Sequence, residues 1–398
     1  MIQTIGMILD ESFPPDPRVE NEANLLIKAG YKIKLFCLGK ETEQVMYNGI
    51  EVHRYKASNF VMDKLSALAY TFPFYRLFLQ KRLTHFFKNN SIDALHVHDI
   101  RVAEAVFRVN KRYSYFLTLD MHENRPEIMK LYKFVNTFPG NILINLNKWK
   151  KKEEKFVRLA DRLVVVTDEA KKDLVERVGI DDSKITSLPN TPLQSFYKDY
   201  TTAESIMLRY KDSFNLLYIG ETGLRRGIKN AIEAVAIVKK DIPNIKLILV
   251  GKSKDDAYLK ALAREQGVED CIDYQGWQNP SSFASYILAS HIGISPLIRN
   301  KHHDTTYANK IFQYMAFGKP IIVSDCPAQA NVAIDYNVGL VHKADDSNSL
   351  AISILKLYRD KELFKEMQSN AAMLIEDKFN WEKTGSALTE LYRDVSND

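Results

Sequence analysis

The sequence predicts an α/β chain built as two doubly wound parallel-sheet domains, and three observations carry that prediction. Its 398 residues exceed one typical compact core and suit two domains of roughly 200 residues each. Short runs of β-branched and leucine residues alternate with helical patterns along most of the chain, the mark of strands covered on both faces. The first such strand, helix, strand order gives a right-handed parallel unit whose loops collect ligands at the carboxyl edge of the sheet.

Composition narrows the function classes. Hydrophobic residues make up 45% and charged ones 26%, the balance of a soluble globular protein. A net charge of +5 is too mild to argue for a nucleic-acid partner and suits an anionic small molecule or an anionic membrane face. Cys37, Cys271 and Cys326 lie in apolar settings without metal-ligand spacing, so buried reduced thiols are expected. The opening MIQTIGMILDESF has no basic leader before a long apolar run, and no window offers the roughly 18 apolar residues of a membrane span. A cytoplasmic protein is expected.

In order, residues 4–9 read as a buried strand, 18–29 as a helix stopped by Gly30, and 32–38 as the next strand. Asp16 and Arg18 lie in the intervening loop and helix start. They either meet an acceptor or a phosphate there, or cap and pair at the helix start. Residues 60–88 interleave Phe60, Phe72, Phe74 and Phe78 with Lys64, Arg76 and Lys81. That pattern fits one or two core helices with snorkelling basic residues, or a face lying in a membrane interface. The strand at 92–99 ends in His96, His98 and Asp99, and the strand at 115–123 ends in Asp120, His122 and Glu123. Two polar clusters at successive strand ends converge on one sheet edge. There His122 is an active-site group, a strand-end histidine bonded to backbone, or a metal ligand, although spacing fixes no further ligand set. A charged helix at 147–158, a strand at 162–166, a helix at 168–178 and a strand at 185–190 complete this half, with a boundary near Ser195.

Strands follow at 216–219, 246–251, 272–276, 292–296 and 321–324. The loop 220–227 lacks the spaced glycines of a dinucleotide fingerprint, which weighs against a nicotinamide enzyme, and instead sets Arg225 and Arg226 before Gly227. Residues 304–325 read as a loop, a helix with Thr306 as N-cap, and a buried strand. The amides of Thr306, Tyr307, Ala308 and Asn309, with the charge of Lys310, would form an anion site suited to phosphate. A last helix covers 380–395.

Gln313 to Pro320, QYMAFGKP, resembles the signature helix of the family 4 glycosyltransferases, enzymes of the GT-B fold that move a sugar from a nucleotide-diphosphate donor. The family carries two glutamates where this chain has Thr305, beside Asp304, and Gln313. The resemblance implies that Gln313 meets the donor ribose and Thr305 or Asp304 the transferred sugar. A glutamine keeps the hydrogen-bonding capacity without the charge. It also implies that Arg225, Arg226 and Lys310 meet the diphosphate. YQGW resembles a segment beside the base, giving Gly276 and Trp277, the latter offering either a stacking face or simple packing. HVHD and DMHE resemble family segments that make His122 the leading catalytic candidate with His98 and Asp99 behind it. PPDPRVENEA resembles the family's opening and places Asp16 and Arg18 near the acceptor.

So extended, the resemblance implies GT-B architecture. An acceptor-side domain of residues 1–195, joined by a returning helix at 379–398, would face a donor domain of residues 196–378 across a central cleft. It implies retaining hexosyl transfer to a saccharide or lipid-linked acceptor, without a metal or other cofactor, in surface polysaccharide, lipopolysaccharide or glycolipid synthesis. Two alternatives stand beside it: a noncatalytic GT-B partner that binds a nucleotide sugar, and a GT-B nucleotide-sugar epimerase.

Overall fold

A computed structural model describes residues 2–397. They divide into two compact units, one running to Pro189 and resuming at Gly385, the other covering Asn190–Thr384. The division falls before the sequence-based boundary at Ser195 for a local reason. Residues 191–194 are tied to 381–384: the Trp381 amide donates to the Pro192 carbonyl at 2.9 Å, and the Thr191 and Thr384 hydroxyls lie 2.7 Å apart.

The first unit holds β1 (Thr4–Ser12), β2 (Lys32–Gly39), β3 (Glu43–Tyr47), β4 (Ile50–Lys56), β5 (Ala94–His98), β6 (Phe116–Met121), β7 (Arg162–Val165) and β8 (Ile185–Ser187). Their order is β3-β4-β2-β1-β5-β6-β7-β8, parallel except for the β3–β4 hairpin. Ile8, Leu95, Val97, Leu119 and Leu163 are fully buried. Sequence reading passed over the hairpin, although Asn48-Gly49 supplies its signal. Both residues take positive φ (49° and 83°), the backbone that a two-residue turn needs to match strand twist.

The second unit holds β9 (Phe214–Ile219), β10 (Ile245–Val250), β11 (Ile272–Gly276), β12 (Ile292–Ser295), β13 (Ile321–Ser324) and β14 (Gly339–His342), in the order β11-β10-β9-β12-β13-β14. Every recorded pairing is parallel. Both sheets therefore reverse direction once, beside β1 and β5 in the first and beside β9 and β12 in the second. Neighbouring crossovers diverge at such a switch and leave a crevice beyond the strand ends.

The expected last helix is two helices, Trp381–Thr384 and Ser386–Asn397, parted at Gly385. The second belongs to the first unit and packs on the helix Pro17–Lys28 and on β8. Residues 60–88 form a helical turn, Phe60–Leu65, and a helix, Phe74–Asn89. Tyr75, Leu79, Leu83, Phe86 and Phe87 enter the core, while Phe60, Phe72, Phe74 and Leu77 stay exposed. All three cysteines are buried and free. Among the described residues, no helix is long and apolar enough to cross a membrane.

Candidate functional site

In the second unit the strand switch gathers positive charge. Gly220 (φ 128°) follows β9 directly, and the Lys310 ammonium fills the space there, 3.1 Å from where a Cβ on that glycine would stand. The same ammonium lies 3.4 Å from the centroid of the Tyr218 ring, a close cation–π contact. Arg225 and Arg226 occupy the single turn Leu224–Arg226, held by Gly227 in the left-handed region (φ 75°), where a side chain would collide with the Pro296 carbonyl. Glu221 is the carboxylate among them, 2.6 Å from Arg225 and 3.5 Å from Arg226. Among the described residues it is the one carboxylate in an ion pair with either arginine. Burial, then the Arg226 guanidinium, push the Lys310 ammonium well below the ordinary lysine range. Both guanidinia are partly buried, and among the described residues Arg225 Nη1 has no hydrogen-bond partner and Arg226 Nε has only the 3.5 Å contact with Glu221. A bound anion would satisfy both and favour the charged form of Lys310.

Sequence reading missed His303, which stands beside these arginines and is 1% exposed. Burial and the two guanidinia push its pKa to about 4 against the opposing bond to Ile298. The ring is therefore neutral at pH 7. Its Nδ1–H donates to the Ile298 carbonyl at 2.7 Å, and Nε2 keeps a lone pair with no hydrogen-bond partner among the described residues. The available signal was position, since His303 follows the switch strand β12.

The helix after this segment starts later than the sequence suggested. Asn300 Oδ1 accepts from the His303 amide at 2.9 Å and caps a separate short helix, Lys301–Asp304. Residues 305–309 then form a link, and the next helix runs Lys310–Met315 with Asn309, not Thr306, at its N-cap. Thr306 Oγ1 is buried without a hydrogen-bond partner among the described residues. The amides of Thr306, Ala308 and Asn309 meet no carbonyl among the described residues. The Tyr307 ring packs edge-on against Phe312 at 5.2 Å.

Two expected sugar contacts are otherwise engaged. Thr305 is buried, its hydroxyl donating to the Lys301 carbonyl at 2.9 Å, and Asp304 is held by Arg299 at 3.0 Å. Gln313 is half-buried, and its side-chain amide makes no hydrogen bond among the described residues. Trp277, past Gly276 at the end of β11, is 65% exposed, so the packing alternative is wrong and its ring face is available.

Tyr314 fixes this helix in place. Its hydroxyl accepts the Ile219 amide at 2.8 Å, and its ring fills the space above Gly293. Tyr314→Phe should therefore cost about 1–3 kcal/mol by orphaning a buried amide beside the Lys310 pocket. Denaturant unfolding followed by circular dichroism checks this, and an unchanged midpoint would refute it.

In the first unit, the ends of β5 and β6 carry a buried charge network centred on Asp120, which is 0% exposed. Arg18 grips it through Nε (3.0 Å) and Nη2 (2.6 Å), His98 Nδ1 lies at 3.1 Å, and His122 Nε2 at 2.8 Å. Glu22 sits 3.0 Å from both Arg18 Nε and His96 Nε2, a contact of charge rather than of aligned hydrogen bonds. Tyr392, from the returning helix, reaches His96 Nδ1 at 2.9 Å. Burial alone would raise the Asp120 pKa, but Arg18 and His122 hold it well below the usual range. Asp120 in turn raises the pKa of His122 against the effect of burial. A carboxylate only accepts, so the 2.8 Å contact places a proton on His122 Nε2 and turns Nδ1 away from Asp120.

This geometry corrects several expectations. Arg18 is 8% exposed and held by Asp120, by the charge of Glu22 and by the Leu188 carbonyl at 3.1 Å, so it is a buried member of this network rather than an acceptor contact. Asp16 is the N-cap of the helix Pro17–Lys28, accepting from the Arg18 and Val19 amides at 3.1 Å. The capping alternative describes Asp16. The partner of Arg18 is Asp120, a hundred residues away in sequence. His98 is buried and orients His122. Asp99, strained at φ 70°, caps the helix Ile100–Asn110 and pairs with Arg125, so it does not stand free as a catalytic group. The guanidinia of Arg125 and Arg101 outweigh burial and hold its pKa at about 2. Of the three catalytic candidates, His122 is the one with an exposed edge, at 23%. Glu22, His96, His98 and Asp120 bring four ligand-type atoms within 4.8 Å of one another. The Arg18 guanidinium touches both carboxylates and supplies the positive charge that a metal ion would bring there.

Comparison with known proteins agrees with this architecture. The family model described as Glycosyltransferase Family 4 matches residues 18–191, and the one described as Glycosyl transferases group 1 matches residues 201–373. An uncharacterized glycosyltransferase of Methanocaldococcus jannaschii is 22% identical over 368 residues, covering 89% of this chain and 87% of its own. Sucrose-phosphate synthase from Thermosynechococcus elongatus superposes with a TM-score of 0.79 at 16% identity, covering 99% of each chain. Anabaena HepE in complex with UDP gives 0.71 at 12% identity, covering all of both chains.

Proposed function

The chain belongs to the family 4 glycosyltransferases of the GT-B fold, and on that premise we propose that it transfers a hexose, with retention, from a nucleoside-diphosphate donor to a saccharide or lipid-linked acceptor. The observation that carries this reading is the undercompensated cationic set of Arg225, Arg226 and Lys310 at the β9–β12 switch. A pyrophosphate complements it in charge and hydrogen bonding, and the UDP complex of the structural neighbour HepE supports the donor class.

As the bond from the anomeric carbon to the diphosphate oxygen breaks, negative charge grows on the leaving group. Fixed cations stabilise it most at that moment, with no metal ion required. Gln313 and the lone pair of His303 Nε2 suit hydroxyl groups of the donor, and the open face of Trp277 suits its base. The acceptor oxygen bonds to the anomeric carbon on the face the diphosphate leaves, and its proton passes to the departing phosphate oxygen. His122, held by Asp120, hydrogen-bonds the acceptor. Exposed aromatics and lysines on the first unit suit an anionic membrane face and a role in surface polysaccharide or glycolipid synthesis.

The test is Lys310→Ala, titrated by calorimetry with UDP, GDP and ADP and with the three nucleosides. Diphosphate affinity should fall about 10- to 100-fold, the loss of one charge-assisted contact, while nucleoside affinity holds. Equal losses for both classes would overturn the assignment. A donor-hydrolysis assay then separates a transferase from a noncatalytic binder, a reading favoured by the engaged hydroxyl of Thr305.

A further inference from the structure

The first unit contains a cavity of about 520 Å³ between two segments that the transfer chemistry leaves unused. Met62, Ala67 and Leu68 line one side, Met129 and Leu143 the other, and Trp149 also borders it. The Thr71 hydroxyl donates to the Leu143 carbonyl at 2.7 Å and ties the two sides together. The volume lies within the range of small-ligand pockets, and apolar walls favour hydrocarbon over water.

Its two borders differ. One includes Arg101 and Arg125, and Arg125 pairs with Asp99, whose charge helps to raise the His122 pKa. The cavity is thus joined through one ion pair to the surroundings of the proposed acceptor-binding histidine. On the short helix Gly140–Leu143 and just before it, Ile142 and Phe138 are 72% and 80% exposed, and Phe134 is 48% exposed. The sequence around them is strongly basic: residues 124–152 hold seven lysines and arginines against one acidic residue, Glu127. Exposed apolar side chains set among lysines match an anionic lipid surface rather than bulk water.

We propose that this cavity seats the hydrocarbon tail of a lipid-anchored acceptor, drawn from an anionic membrane past Phe138 and Ile142, with the polar head at Arg101 and Arg125. The inference rests on the transferase reading and narrows its acceptor to an amphiphile.

The test uses the full chain and octyl glucoside below its critical micelle concentration, with glucose as the headgroup control. Calorimetry should detect octyl glucoside but not glucose. Ala67→Trp, which fills the cavity, should weaken octyl glucoside at least tenfold while leaving vesicle binding intact. The Phe138→Ser, Ile142→Ser double variant should lose flotation with phosphatidylglycerol vesicles and keep octyl glucoside binding. Should Ala67→Trp fail to fold, Met62→Trp fills the same cavity from another lining residue and carries the same expectation. Octyl glucoside bound equally by the filled variants, or not bound at all, would overturn the tail seat. UDP, GDP and ADP titrations report on the second unit, so intact nucleotide binding beside a failed octyl glucoside experiment removes the tail seat alone.

Discussion

Asp120→Asn should lower the stability of the first unit by about 3–5 kcal/mol, the usual cost of stranding one partner of a buried ion pair. The Arg18 guanidinium would lose its anionic partner in β6 and keep only Glu22 nearby, while His98 and His122 would lose the carboxylate they share. Asparagine nearly preserves shape, so the loss reports charge and hydrogen bonding rather than a cavity. The pH dependence provides a second check. Because the folded pKa of Asp120 is depressed, its contribution is complete above the unfolded value near 3.8 and disappears as pH falls toward the folded value. The gap between wild type and variant should therefore narrow in acid. Urea unfolding monitored at Trp149, the buried tryptophan of this unit, across pH 3 to 7 measures both effects. An Arg18→Met, Asp120→Asn double variant should lose less than the sum of the single variants, since the pair would fail together. Additive losses, or a gap independent of pH, would contradict the network.

The origin of that network shows where sequence reading succeeds and where it stops. The ends of β5 and β6 were legible because apolar runs stop abruptly at His98-Asp99 and Asp120-Met121-His122, and parallel topology puts successive strand ends side by side. Their partner was not legible. Arg18 sits in the first turn of a helix, where Asp16 is the obvious local neighbour, and nothing in its spacing points to Asp120. The same limit explains the displaced helix start at Lys310. Thr306 has the chemistry of a cap, but Asn300 had already capped a separate short helix upstream, and two adjacent capping signals do not announce which one wins.

Residues 60–88 resisted a single reading because both readings describe part of the segment. Leu79, Leu83, Phe86 and Phe87 build core, whereas Phe60, Phe72 and Phe74 face solvent. Period alone cannot separate a helix buried on one face from one that also presents apolar groups outward. The segment 131–142 exposes further apolar side chains, Phe134, Phe138 and Ile142. Its short helices, Lys133–Asn136 and Gly140–Leu143, are too brief to show a hydrophobic period, so the surface emerged only from exposure.

His122→Ala should lower turnover by about 10²- to 10³-fold, the range for removing one hydrogen-bonding group aimed at the reacting oxygens, and leave nucleotide affinity nearly unchanged. The two readouts separate because His122 belongs to the first unit and the diphosphate cations to the second. His122→Gln retains a donor at a similar reach and should recover part of the lost rate. Asp120 raises the imidazole pKa against the effect of burial, so the protonated form persists to higher pH than in a free imidazole. If that form donates to the acceptor site, wild-type turnover falls as pH rises through the raised pKa, and the alanine variant shows no such limb. Steady-state rates of donor consumption from pH 5.5 to 9, beside UDP titrations of the same preparations, decide the matter. Turnover that survives the substitution, or an equal loss of UDP binding, would remove His122 from the chemistry and return it to the charge network as a purely structural member.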